Sequence, residues 1–185
     1  METVATIGHS NRSIEEFIAL LKQNGIACVL DIRTVPKSRH NPQFGQDQLP
    51  ASLKAAGIEY RYLAGLGGLR RPRPDSPNAG WRNTSFRGYA DYMQTEEFAQ
   101  NVDTVVELAE HTRCALMCAE AVPWRCHRSL VADALLVRGI PVEEIIGPQK
   151  PKPHKLTNFA QVDGTRITYP SDTQRQQEMQ GSLGF

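Results

Sequence analysis

The apolar residues of the chain fall into short continuous runs separated by longer stretches with helical spacing. Five runs have the length and composition of buried β-strands: residues 4–8, 26–32, 58–63, 113–119 and 142–146. Four intervening stretches repeat their apolar residues at helical spacing and are predicted as helices: residues 14–21, 48–56, 95–111 and 130–135. Strands and helices therefore alternate along most of the chain.

Polar and glycine residues mark the ends of these helices. Ser13 and Glu16 have the spacing of a capping box at the start of the first helix. Gly25, Gly57 and Gly139 follow three of the helices, and glycine commonly ends a helix because it readily adopts a left-handed backbone. These signals predict short, separate helices rather than one long helical segment.

Strands that alternate with helices favour a mostly parallel sheet covered by helices on both faces. The sequence therefore predicts an α/β protein with a three-layer α/β/α fold and a sheet of about five strands. We expect a single domain over residues 1–147 and a partly flexible C-terminal extension over residues 148–185. Residues 65–85 are predicted as a long loop, and residues 147–153, rich in proline and lysine, as a linker.

Composition restricts the class of protein. The chain has 185 residues, of which 40% are hydrophobic and 22% charged, as in globular proteins. Its net charge of +1 provides no overall attraction to nucleic acid or acidic membranes. No apolar run approaches the ~20 residues of a membrane-spanning helix, and the N-terminus lacks the pattern of a secretion signal. We therefore expect a cytoplasmic protein without a membrane partner, in which the cysteines stay reduced.

Polar residues follow three of the predicted strands at their carboxyl ends. They are His9, Ser10 and Asn11 after the first strand, Asp31 and Arg33 after the second, and Cys118 and Glu120 after the fourth. A short loop then leads to Arg125, Cys126, His127 and Arg128 at the start of the last helix. Because the carboxyl ends of parallel strands share one edge of a sheet, we expect these groups to form one pocket.

The first interpretation of this pocket is a site for a small anionic ligand, such as a phosphate-bearing compound or nucleotide. The N-terminus of the last helix carries free N–H groups and a positive dipole end. The guanidinium groups of Arg33, Arg125 and Arg128 can add forked donors, and His9, Ser10 and Asn11 are candidates to orient the ligand. In the alternative interpretation, Arg33 pairs with Asp31 or Glu120 in a buried structural network.

The second interpretation is thiol chemistry, in a thiol- or carboxylate-dependent hydrolase or transferase. A cysteine at a helix N-terminus beside a histidine and an arginine has a lowered pKa. Cys118 or Cys126 is then the candidate nucleophile, and Glu120, Asp31 or His127 the candidate proton carrier. The spacing from Cys118 to Arg125, C-x6-R, differs from the familiar phosphatase loop, and Cys126 is equally consistent with a small buried residue.

Two other classes of protein remain as alternatives. Cys118, Cys126, His127 and His9 offer soft ligands for a metal or haem, although no C-x2-C pair is present; no cofactor and no metal ligand follows from the sequence. A non-catalytic nucleic-acid adaptor is the other alternative, with Arg70, Arg71 and Arg73 as the contacting cations. The isolated histidines His111 and His154 are expected on the surface.

Several segments together resemble a family of uncharacterised bacterial and archaeal proteins, the domain of unknown function 488 family. They are Thr6-Ile7-Gly8-His9-Ser10, Asp31-Ile32-Arg33, Leu66-Gly67-Gly68, Tyr89-Ala90-Asp91-Tyr92-Met93, Met117-Cys118-Ala119-Glu120 and Cys126-His127-Arg128. The resemblance extends from about residue 3 to residue 147. It implies a compact α/β domain with a site built from these segments, and it implies no particular reaction.

Overall fold

A six-stranded sheet forms the centre of the computed structural model, which describes residues 3–184. The strands are β1 (Val4–Gly8), β2 (Cys28–Asp31), β3 (Glu59–Tyr62), β4 (Cys114–Cys118), β5 (Val142–Ile145) and β6 (Lys152–Pro153), with a separate hairpin of β7 (Gln161–Asp163) and β8 (Arg166–Thr168). The strand order is β3-β2-β4-β1-β5-β6. The first five strands are parallel, and β6 pairs antiparallel to β5.

Helices cover both faces of this sheet. They are α1 (Ile14–Gln23), α2 (Leu49–Ala55), α3 (Thr84–Tyr92), α4 (Glu96–His111), α5 (Arg128–Leu136) and α6 (Asp172–Leu183). One hydrophobic cluster joins α1 and α2 to one face, and a second joins α3, α4 and α5 to the other. The predicted three-layer α/β/α fold with a mostly parallel sheet is confirmed.

Burial on both faces explains why the central strands are continuous apolar runs. Every residue of β1, β2 and β4 is buried. No position in these strands faces solvent, so the sequence does not alternate between apolar and polar residues. The predicted helix ends are also confirmed. Ser13 Oγ accepts a hydrogen bond from the backbone N–H of Glu16, and Gly25, Gly57 and Gly139 have φ of 66°, 77° and 79°.

Helix α3 lies where the glycine- and proline-rich segment ends and was not predicted. Its hydrophobic surface is interrupted by Gly88, which weakens the helical pattern in the sequence. The structure explains this glycine, because a Cβ at Gly88 would lie 2.0 Å from the carbonyl oxygen of Arg70. The helix therefore packs directly against the backbone of the preceding loop, a contact that no local pattern reveals.

Residues after β5 return to the sheet instead of forming the predicted linker. Lys152–Pro153 pairs with β5, and the next residue, His154, is 9% exposed, so its predicted surface position was wrong. His154 Nε2 lies 2.8 Å from Asp133 Oδ1, and its Nδ1 lies 2.7 Å from Glu144 Oε1. Tyr169 donates to the other oxygen of Asp133. This buried network joins the C-terminal segment to α5 and β5.

We expect His154→Gln to destabilise the protein in a pH-dependent way. Burial alone lowers the pKa of His154, but the hydrogen bonds to Asp133 and Glu144 outweigh burial and raise the pKa to about 9. Because the pKa in the folded state is above the unfolded value of 6.5, the stabilisation is complete below pH 6.5 and is lost as the pH rises through 9. The corresponding free energy is on the order of 3 kcal/mol.

Urea unfolding at pH 6 and pH 10 tests this prediction. The wild type and His154→Gln should differ by the full amount at pH 6 and by much less at pH 10. His111→Gln, at an exposed position of α4, is the matched control and should change stability little at either pH. An equal loss at both pH values would show that His154 contributes packing rather than charge.

Candidate functional site

A cleft opens at the carboxyl ends of β1, β2 and β4, which are adjacent because β4 lies between the other two strands. Gly8 pairs with Cys118, and Asp31 pairs with Met117, so the residues that follow these strands meet at one edge. The cleft has a volume of about 800 Å³. Most of the predicted site residues line it: His9, Ser10, Asn11, Arg33, Cys118, Glu120, Arg125, Cys126 and His127.

Two predicted site residues do not line the cleft. Asp31 and Arg128 are both 0% exposed, and each supports a lining residue from behind. The sequence also did not identify several lining residues. Lys37, His40, Leu69 and Phe86 belong to loops and to the unpredicted α3, so only the tertiary structure places them at the cleft.

The cleft is electropositive. Arg33, Lys37 and Arg125 contribute three cations, whereas Glu120 is the single carboxylate among the described residues that line it. An excess of positive charge in a concave surface attracts anions and raises their local concentration. The side chains of Lys37, Arg125 and Glu120 are exposed, so these charges lie toward the mouth.

Arg33 and Asp31 form a buried ion pair. This pairing was the structural alternative to an anion site in the sequence analysis. Arg33 Nε and Nη2 donate to the two carboxylate oxygens of Asp31 at 2.9 and 2.7 Å. Tyr60 donates its hydroxyl to the same carboxylate at 2.6 Å. The Asp31 oxygens are thus occupied, while Arg33 Nη1 points to His9 Nε2 at 3.4 Å and remains at the cleft. Asp31 therefore fixes the orientation of Arg33, with Nη1 directed toward the cleft.

His9 is held rigidly at the floor of the cleft. Its Nδ1 lies 2.7 Å from the carbonyl oxygen of Ser10, and its ring stacks on Phe44 with centroids 4.4 Å apart. Because a carbonyl only accepts, Nδ1 carries the proton and Nε2 is the unprotonated nitrogen facing Arg33. Burial, together with the charge of Arg33, lowers the pKa of His9. The turn that follows His9 contains a residue with a left-handed backbone, Ser10, whose φ is 51°.

Arg128 lies beneath Cys118. Its Nη1 donates to Cys118 Sγ at 2.6 Å and also to the carbonyl of Glu120, and its Nη2 donates to the carbonyl of Ala121 at 3.1 Å. No carboxylate in the described part of the chain forms an ion pair with Arg128. The partners of this buried guanidinium are therefore the Cys118 sulfur and two backbone carbonyls, and Cys118 Sγ also lies 3.7 Å from the carbonyl oxygen of Glu120.

The environment of Cys118 favours the thiolate. Burial raises the pKa of this thiol, but a hydrogen bond from Cys126 and the positive charge of Arg128 outweigh burial and lower the pKa to about 7. Cys126 has the opposite behaviour, because its hydrogen bond to Cys118 and its burial raise its pKa. The pKa shifts of the two thiols therefore have opposite directions, downward for Cys118 and upward for Cys126.

His127 adjoins this pair as a neutral base. Its Nε2 donates to the carbonyl of Ile32 at 2.8 Å, and its Nδ1 lies 3.6 Å from Cys126 Sγ. Burial is the main cause that lowers the pKa of His127. Gly68 packs closely on the ring, since a Cβ there would lie 3.2 Å from Nδ1. The imidazole is therefore fixed with its unprotonated Nδ1 toward the Cys126 thiol.

The three arginines proposed from the sequence to contact nucleic acid, Arg70, Arg71 and Arg73, lie outside the cleft lining. Arg70 stacks over the ring of Tyr92 at 3.7 Å from the centroid and is half-buried, whereas Arg71 and Arg73 are exposed. None of these arginines lines the cleft as described. Among residues 3–184, no three His, Cys, Asp or Glu side chains are grouped so that they could hold a metal ion. No helix in the same range is both long and apolar enough to cross a membrane.

Comparisons with known proteins give one family match. The model of the family described as "Domain of unknown function DUF488" matches residues 13–135, which is more than half of the chain. This range contains Arg33 and the whole segment from Cys118 to Arg128, but His9 precedes it. Searches of curated proteins and of solved structures found no match. The resemblance seen in the sequence is confirmed.

Proposed function

Given that the chain belongs to the DUF488 family, whose description names no reaction, we propose that it is a thiol-dependent enzyme acting on a phosphate-bearing or other anionic small molecule. Cys118 is the nucleophile in this proposal. The family match supports an uncharacterised function only, so the proposal depends on the chemistry of the cleft. It also assigns the protein to the cytoplasm, where reducing conditions preserve a thiolate.

The buried cation beneath Cys118 is the observation that carries the proposal. A guanidinium group removed from water is costly unless an opposite charge is close to it. Arg128 is 0% exposed, and Cys118 Sγ at 2.6 Å balances its charge only as a thiolate. A thiolate is the reactive form of cysteine, and this one lines the cleft. A purely structural cysteine would need no such partner.

Several groups are arranged to bind the anion beside this nucleophile. Arg33 offers Nη1, because Asp31 occupies its other nitrogens. Lys37 and Arg125 add charge at the mouth. Helix α5 begins at Arg128, two residues after Cys126, and adds its positive dipole end. Its first backbone N–H groups, expected from the sequence to be free, instead donate to Cys126 and His127. The anion is therefore attracted to the same end of the cleft as the thiolate.

The reaction can be written for a phosphate monoester. The Cys118 thiolate attacks phosphorus, an S–P bond forms, and the P–O bond to the leaving group breaks. Glu120, the carboxyl group that lines the cleft, gives its proton to the leaving oxygen. Water then attacks phosphorus, its proton passes to Glu120, and phosphate departs as the thiolate is restored. Cys126 and His127 act as positioning residues that hold Cys118 in its ionised form.

Alkylation by iodoacetate tests this proposal, because iodoacetate is both a thiol reagent and a small anion. We expect Cys118 to be carboxymethylated with a midpoint near pH 7, the value to which its pKa is lowered. Relative to a free thiol, iodoacetate should be preferred over neutral iodoacetamide by about tenfold or more, since the cleft concentrates anions. Inorganic phosphate should slow the reaction. Mass spectrometry identifies the modified residue.

Two variants control this experiment. Cys118→Ser should abolish the fast reaction, whereas Cys28→Ala, in β2 at a residue 1% exposed and outside the cleft lining, should leave it unchanged. A midpoint near pH 9 with no preference for iodoacetate would refute both the thiolate and the anion site. Phosphate protection without a lowered midpoint would leave anion binding but remove the nucleophile.

A further inference from the structure

We infer that the substrate carries an apolar, ring-sized body attached to its anionic group, and that Leu69 and Val35 contact this body at the mouth of the cleft. The inference rests on the proposed function and specifies its substrate class. It distinguishes a small organic anion from a simple inorganic anion.

The burial of the lining residues gives the orientation of the bound molecule. Cys118, Cys126 and Arg33 are 2%, 6% and 5% exposed and form the deep end of the cleft. Leu69 and Val35 line the same cleft at 78% and 56% exposure and form its mouth. An anionic group that reaches Cys118 therefore has the rest of its molecule beside Leu69 and Val35.

The size of the cleft supports a ligand with a body. A volume of about 800 Å³ falls in the range of roughly 300–1,000 Å³ that encloses whole organic ligands. An inorganic anion held by Arg33 would fill only the deep end. The remaining wall includes apolar side chains, namely Leu69 and Val35 with the half-buried ring of Phe86. These apolar side chains, which lie beside the charged Lys37, Arg125 and Glu120 at the mouth, offer a contact surface for the carbon body of a ligand.

Leu69 provides the most specific observation. It is the most exposed large hydrophobic side chain in the described part of the chain, and its φ is 57°. A leucine in the left-handed region destabilises the folded protein by roughly 1 kcal/mol or more. A glycine at this position, like the two glycines that precede it, would avoid that strain. Single exposed apolar residues are ordinary. An exposed and strained one that lines a cleft of cations indicates contact with a ligand.

The neighbouring loop holds Leu69 in this position. Arg70 donates to the carbonyl of Gly67 at 3.4 Å and stacks over Tyr92, while Gly68 packs on His127. The backbone on both sides of Leu69 is therefore tied to α3 and to the cysteine site. The loop that carries the Leu69 side chain is therefore held in place by these contacts.

Binding of two phosphonates tests the inference, because both resist hydrolysis and differ only in the attached group. By titration calorimetry, phenylphosphonate should bind the wild type at least about tenfold more tightly than methylphosphonate, owing to burial of its ring. The double variant Val35→Ala/Leu69→Ala should reduce this preference to about threefold or less. Binding of methylphosphonate should change little, since its contacts are with the cations.

The matched control is Val162→Ala/Leu183→Ala, which removes the same two side-chain types at 46% and 76% exposure away from the cleft. It should keep the full preference for phenylphosphonate. If both phosphonates bind equally, or if the preference survives in the cleft variant, the inference is wrong while the anion site stands. If neither phosphonate binds, the proposed function itself fails and the inference with it.

Discussion

Replacing Arg128 with methionine is expected to slow the alkylation of Cys118 at pH 7 about 50-fold, because a shift of the pKa from about 7 to 9 reduces the thiolate fraction by that factor. Burial then acts on the thiol without a compensating charge and raises its pKa. The midpoint of the iodoacetamide reaction should move by two pH units or more. Iodoacetamide is the reagent of choice because it is neutral, so the change reports ionisation rather than anion binding.

Two comparisons separate the loss of charge from a loss of fold. Arg128→Lys retains a cation and should recover part of the reactivity at pH 7. Arg113→Met removes an arginine whose pair with Glu143 is partly exposed, and it should leave the midpoint unchanged. An Arg128→Met variant that remains folded and keeps a midpoint near 7 would disprove the charge pairing.

The same pair can be measured through stability. Cys118→Ala leaves Arg128 as an uncompensated buried cation, and Arg128→Met leaves two carbonyls without donors. Each single change should cost about 3–5 kcal/mol in the free energy of unfolding. The double variant should cost less than the sum by at least about 1 kcal/mol, since the charge and its partner disappear together. Strict additivity would indicate that Cys118 is a neutral thiol.

Gly8→Ala is expected to lower the free energy of unfolding by at least about 4 kcal/mol, a loss that only severe defects produce. A Cβ at Gly8 would lie 1.6 Å from the carbonyl oxygen of Glu120 and 2.9 Å from Arg128 Nη1. Relief requires movement of the backbone that follows Cys118, which also disturbs the contact between Arg128 and the thiolate. Any folded variant should therefore alkylate Cys118 more slowly at pH 7.

Gly139→Ala is the matched control for this change. Gly139 has φ of 79° and no heavy atom near its Cβ position, so alanine there meets backbone strain alone, about 1 kcal/mol. Urea unfolding of both variants separates the clash from the strain. If Gly8→Ala is as stable as Gly139→Ala, β1 and the Glu120 segment do not approach each other as closely as described.

The layers of the fold were predictable from the sequence because they depend on local spacing. Five apolar runs became β1 to β5, and Ser13 and Gly57 marked helix boundaries correctly. Elements with weak local signals were not predictable. Helix α3 contains Gly88 in contact with the Arg70 backbone, and β6 forms through pairing with β5, so both are stabilised by distant contacts.

The location of the cleft was also predictable, but the partners of its charged residues were only partly so. Polar residues at three strand ends indicated one edge of the sheet, since parallel strands share that edge. Arg33 was expected either to bind an anion or to pair with Asp31, and the geometry shows the pair together with one nitrogen at the cleft. For Arg128 the sequence indicated a ligand contact, whereas its guanidinium is enclosed beneath Cys118.

By itself, then, the sequence determined the alternation of strands and helices and the end of the sheet that carries reactive side chains. Both follow from residue spacing, which persists in any compact arrangement of the chain. The tertiary structure alone decided that Cys118 rather than Cys126 contacts the buried guanidinium of Arg128 and that Leu69 stands at the mouth of the cleft. The state of a buried group depends on which charges surround it after folding, because electrostatic interactions act through space at short range and not along the chain.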